Sequence, residues 1–204
     1  MRAKSVILLA AAAVLNACST EWPPLPGNEM DVAVPARASD AWFLRVDIPS
    51  TGAAAILLPA ATNAGVSTWR TADGVTVSLT DGIVVATRGL GHDLMTADVR
   101  GTGAAMQGTT AQDYARRMRY LNSDAKDVFL SFTCSMRQGS SGGNGQRLLQ
   151  ETCHSDTASF TNNYWFDSTD RVQRSRQWIS PEVGYLDSTW VREANLRATA
   201  PGQP

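Results

Sequence analysis

The chain has 204 residues, with 18 Lys or Arg against 19 Asp or Glu and a net charge of −1. That balance lacks the basic face that nucleic acid calls for, so no nucleic-acid partner is expected. With 43% hydrophobic residues, the chain is long enough to bury the core of a single domain.

The first 17 residues read as a signal peptide. Arg2 and Lys4 form a positive start, and residues 6–15 form an uncharged apolar run. The run is shorter than the roughly 20 apolar residues of a membrane-spanning helix. Leu15-Asn16-Ala17-Cys18 then has the order of a lipobox. An ordinary secretory signal ends in small residues and needs no cysteine, so Cys18 reads as a lipidation site. Its thiol would carry diacylglycerol, and its freed amine a third chain such as palmitate. One acyl chain binds a membrane reversibly, whereas two or more anchor stably. Ser19, where an Asp would favour inner-membrane retention, points to the outer membrane, with the domain facing the periplasm. Cleavage before Cys18 removes Arg2 and Lys4 and no acid, which takes the net charge to −3. Residues 18–38, with Pro23, Pro24, Pro26 and Pro35, predict a lipidated, extended tether. Residues 39–197 then form the folded domain, and residues 198–204 a disordered tail.

From residue 41 the pattern is that of strands. Residues 41–48 alternate loosely, and residues 53–58 are a short apolar run. Residues 67–88 carry the clearest signal. Val75, Val77 and Leu79 alternate with Thr76 and Ser78, between Asp73-Gly74 and Asp81-Gly82. Asp-Gly between alternating segments marks hairpin turns, so a three-stranded meander is expected. Residues 110–121 admit two readings. As a helix capped by Thr110, they place Tyr114, Ala115, Met118 and Leu121 on one face. As a strand, they place Arg116, Met118 and Tyr120 together. Residues 128–132 and 147–160 read as arms of a hairpin with its tip in Gly142-Gly143-Asn144-Gly145. Residues 164–167 and 172–179 form another hairpin, and residues 185–191 a last strand. The expected fold is an all-β domain of antiparallel meanders and hairpins, with few short helices, forming a sandwich or an open barrel.

Cys134 and Cys153 lie at equal distances from the hairpin tip, which would set them opposite each other. In an exported chain such a pair reads as a structural disulfide. A redox pair or a metal site is the alternative, with only His154 at hand. His92-Asp93 could be a catalytic dyad or metal site, but two ligands are too few for zinc. The favoured reading is a plain loop, with the glycines of Gly89-Leu90-Gly91 chosen for backbone freedom. Residues 139–145 lack the Gly-Lys-Ser/Thr ending of a phosphate loop. No nucleophile motif such as G-x-S-x-G is present, and no carboxylate pair stands out. The expectation is therefore no enzyme, no cofactor and no metal. The densest region is residues 162–181. Strand alternation there puts Arg174, Arg176 and Trp178 on one face. With Trp165 they make a candidate surface for a sugar or a protein partner, since arginine beside tryptophan suits stacking. The competing reading is internal packing of the tryptophan.

The same region resembles the YjbF/GfcB family of outer-membrane lipoproteins, associated with exopolysaccharide and group 4 capsule formation. The strings are Asn163-Tyr164-Trp165-Phe166-Asp167 and Ser175-Arg176-Gln177-Trp178-Ile179-Ser180-Pro181. Trp69, Asp73-Gly74, Asp81-Gly82 and Thr87-Arg88-Gly89-Leu90-Gly91-His92-Asp93-Leu94 also look like that family. Asp170 stands where the family often has glycine. The resemblance implies a β-rich periplasmic domain and leans residues 114–121 toward strand. It also implies a non-enzymatic role in polysaccharide assembly or export, beside an outer-membrane β-barrel protein and a periplasmic partner. A polysaccharide-binding module is the second reading and a polysaccharide-modifying enzyme the third.

Overall fold

The computed structural model describes residues 41–109, 112–121, 126–140 and 146–192. The signal peptide, Cys18, the tether, the 142–145 hairpin tip and the C-terminal tail lie outside the described residues. The strands in chain order are β1 (Trp42–Ile48), β2 (Ala53–Asn63), β3 (Val66–Arg70), β4 (Thr76–Thr80), β5 (Ile83–Arg88) and β6 (Leu94–Asp98). A short helix, α1 (Arg100–Met106), follows. Then come β7 (Tyr114–Leu121), β8 (Asp127–Gln138), β9 (Arg147–His154), β10 (Ser159–Phe166), β11 (Val172–Ser180) and β12 (Gly184–Arg192).

All twelve strands belong to one antiparallel sheet, in the order β5-β4-β3-β2-β1-β12-β11-β10-β9-β8-β7-β6. Its two edge strands, β5 and β6, are consecutive in sequence and meet at a side-chain seam. Leu94 N–H donates to Thr87 Oγ1 at 3.0 Å, and Arg88 Nη1 donates to the Leu94 carbonyl at 3.2 Å. The sheet thus curls into a nearly closed barrel, and the choice between sandwich and barrel falls to the barrel. Near-closure leaves little of either edge exposed as a template for another strand.

Period-two alternation supplies the interior. Leu44, Leu57, Val77, Ile83, Leu94, Met118, Ile179 and Leu186 point inward and are buried. Turn chemistry sets the register. Asp81 and Gly82 both have positive φ, 49° and 81°, as a two-residue hairpin turn requires. The Asp73-Gly74 turn is wider, with Thr71 N–H donating to the Val75 carbonyl at 2.9 Å. Asp170 has φ 63°, and Asp is among the few residues that tolerate this left-handed conformation.

One open reading is settled and two expectations change. Residues 114–121 form the strand toward which the resemblance leaned, with Arg116, Met118 and Tyr120 on its inward face. Residues 147–160 are not one arm: a turn closed by Ser155 N–H to the Ala158 carbonyl divides β9 from β10. The short apolar run at 53–58 extends to Asn63, with a register shift between Pro59 and Ala61.

Candidate functional site

The Gly89–Leu94 segment, expected to be a loop leaving the meander, stitches the seam. Asp93 accepts Gly89 N–H at 2.8 Å, Leu90 N–H at 3.1 Å and Thr87 Oγ1–H at 3.0 Å. Its carboxylate is thus engaged in fixing the loop rather than presented to a substrate. His92 stands outside this network, half exposed, with Nδ1 3.9 Å from Glu182. The pair therefore does not form a His-Asp dyad: Asp93 is turned to Thr87 and the loop amides, and His92 to Glu182.

The candidate surface of Trp165, Arg174, Arg176 and Trp178 is divided by the structure. Trp165 faces Arg174 across the β10–β11 ladder, and the guanidinium lies 3.9 Å from the ring centroid. Arg176 lies over Tyr185 at 4.8 Å and 3.4 Å from Asp187. Trp178 is the correction. It is only 8% exposed and belongs to the interior. Its ring stacks on Phe160 at 4.6 Å and meets Phe132 and Tyr120 edge-on. Alternation fails because the β10–β11 register ends at Asn163 and Arg176. Beyond it, Asn162 Oδ1 accepts Trp178 N–H at 2.7 Å, and Tyr185 OH accepts Thr161 N–H at 3.2 Å. A bulge between Trp178 and Ser180 completes the departure.

The barrel interior is polar at its centre. Glu151 Oε1 accepts from Thr102 Oγ1 at 2.6 Å and from Tyr114 OH at 3.0 Å. Its Oε2 accepts from Arg116 Nη1 at 3.1 Å, Asn162 Nδ2 at 2.8 Å and Tyr164 OH at 3.0 Å. Burial opposes the charge on Glu151, but the Arg116 guanidinium and these donors outweigh it and hold its carboxyl below the usual range. Burial and the Glu151 charge push the Tyr164 and Tyr114 hydroxyls up, so both stay protonated as donors. Gln177 extends this network across the lumen. Its Nε2 donates to the Gly82 carbonyl at 2.8 Å, and its Oε1 accepts Val84 N–H at 2.9 Å. At the same point a Cβ on Gly82 would lie 2.5 Å from Val172 Cβ, so opposite walls touch.

Cys134 and Cys153 are direct cross-strand partners on β8 and β9 and form a disulfide. The Glu151 carboxylate and the two sulfurs lie within 4.8 Å of one another. Bonded to each other, the sulfurs are not thiolate ligands for a metal.

A half-open cavity of about 600 Å³, the mouth of the barrel, is lined from β3, β4, the Asp81-Gly82 turn, α1 and the Asp167–Arg171 turn. The strand alternation that builds the core supplies its aromatic wall: Trp42 from β1, Trp69 from β3, Phe166 from β10 and Trp190 from β12. Trp69 and Trp190 meet edge-to-face at 4.7 Å, and Arg147 covers Phe166 at 3.7 Å. Asp81, Gln107 and Gln173 line the cavity too. Two ion pairs sit on its rim, Arg147 with Asp170 and Arg171 with Asp167. Sequence reasoning missed this site. Trp42, Trp69 and Trp190 are far apart in the chain, and the only available hint was that each sits at an inward parity of its strand.

These features define a small antiparallel β-barrel with a polar interior and one aromatic mouth. Residues 36–191 match the family of group 4 capsule polysaccharide lipoproteins, gfcB, YjbF, and the chain belongs to that family. It is a lipoprotein family linked to capsule polysaccharide, which implies a membrane-anchored location. No curated protein sequence matches the chain. Among solved structures, the hypothetical lipoprotein YmcC from Escherichia coli (K12) shares the fold. The TM-score is 0.59 at 17% identity, covering 75% of this chain and 87% of that one.

Proposed function

We propose that this protein is a non-enzymatic accessory lipoprotein for assembly or export of an exopolysaccharide or capsule. It is anchored through Cys18 in the outer membrane and faces the periplasm. There it works beside an outer-membrane β-barrel protein and periplasmic export proteins. Family membership over residues 36–191 carries this reading. The lipobox at Leu15-Asn16-Ala17-Cys18 supports the anchor, and Ser19 supports the outer membrane. The non-enzymatic part is supported by the engagement of Glu151 and Asp93 in structural hydrogen bonds.

Deleting the gene in a strain that makes the polymer tests the role. Secreted polysaccharide should fall sharply, and unchanged secretion would sink the reading. Density-gradient fractionation of the envelope tests the location. The native chain should travel with outer-membrane markers, and the Cys18→Ala chain should leave that fraction.

A further inference from the structure

Trp69 is 8% exposed and lines the mouth cavity, yet its indole N–H, itself buried, meets no acceptor among the described residues. A buried donor left without a partner costs about 1–3 kcal/mol, and native folds pair nearly all such groups. Around it stand the other aromatic side chains and the amides of Gln107 and Gln173. Amphipathic rings beside planar amides suit a ligand with apolar C–H faces and many hydroxyls. The volume falls within the roughly 300–1,000 Å³ of built ligand sites. The charges Arg147, Asp170, Arg171 and Asp167 are paired on the rim, and Asp81 adds one further carboxylate to the lining.

We propose that this mouth binds a segment of a hydroxyl-rich glycan, with a sugar oxygen accepting the Trp69 indole N–H and Trp42 flanking the entrance. Trp42 is 37% exposed at the start of β1, where an arriving chain would meet it first. An acyl chain is the competing occupant. It would fill the aromatic wall and leave the buried Trp69 donor without an acceptor. The proposal rests on the capsule-linked role above and names the chemistry that the role would need.

The test uses the full lipidated chain in phospholipid nanodiscs, titrated with oligosaccharides released from the strain's own polymer by partial hydrolysis. Tryptophan fluorescence should change saturably. Trp69→Phe keeps the ring and removes the donor, and should weaken binding roughly three- to tenfold. Trp42→Ala should weaken it about tenfold or more, as loss of an aromatic anchor does. A fluorescent fatty acid forms the second arm and should not compete. Absence of glycan binding, binding that both variants leave unchanged, or displacement by the fatty acid alone would each overturn the proposal. Deletion strains carrying each variant separate the two readings. If the deletion abolishes secretion while both variants restore it fully, the mouth site fails and the accessory role stands. If the deletion changes nothing but the purified protein binds glycan, the reverse holds.

Discussion

Arg116 Nη1 lies 3.1 Å from Glu151 Oε2, with the two side chains 1% and 0% exposed. The pair bridges β7 and β9 across β8 and gathers Thr102, Tyr114, Asn162 and Tyr164 around it. Two charges in a barrel interior persist only when geometry and hydrogen bonds offset their desolvation. Five donors meet that condition for the carboxylate, while the buried Arg116 Nε finds no acceptor among the described residues.

Removing one partner should therefore be severe. Glu151→Gln leaves Arg116 as a buried, uncompensated charge and should cost about 3–5 kcal/mol in urea unfolding. An isosteric loss below about 1 kcal/mol would mean that water enters the lumen and solvates the pair.

The same pair sets an acid limit. The folded carboxyl titrates below its ordinary value of 4.5. Its stabilising effect is then complete above that value and is lost as pH falls through the folded value. Urea midpoints measured from pH 7 downward should hold level to about pH 5 and then decline. The decline should be shallower in Glu151→Gln, which has no carboxyl to protonate.

Thr87 tests the seam. Thr87→Val keeps the shape but removes the acceptor for Leu94 N–H. The expected loss is about 1–3 kcal/mol, with faster amide exchange at Leu94. Unaltered protection at Leu94 would show that the seam closes without Thr87.

Trp178 and Arg174, placed on one face by simple alternation, should behave as opposites. Trp178→Ala removes a ring stacked inside the barrel and should cost about 3–5 kcal/mol. Arg174→Ala loses one exposed cation–π contact and should cost about 1 kcal/mol or less. Thermal or urea unfolding of both variants decides it.

The disulfide should contribute about 3 kcal/mol, given the 19-residue separation of Cys134 and Cys153. The double variant Cys134→Ala, Cys153→Ala should lose that stability in urea. Peptide mapping without reductant should find the two cysteines linked.

Local chemistry was legible wherever a rule acts over a few residues. Asp81-Gly82 foretold its turn because both residues accept positive φ. The equal spacing of Cys134 and Cys153 about a glycine-rich tip foretold their pairing. Alternation over residues 75–79 set Val77 and Leu79 on one apolar face, which is the face the barrel buries. Tertiary structure decided everything that depends on a distant partner. Arg116 looked wrong for the inside of a strand, because nothing near it announces Glu151. Trp178 left its predicted face because Asn162, a neighbour in space, took over its backbone hydrogen bond. The seam at Thr87 and Leu94 and the mouth built by Trp42, Trp69 and Trp190 exist only after the sheet curls. Strand closure and side-chain pairing are long-range, and a linear pattern of period two carries no record of which strands will meet.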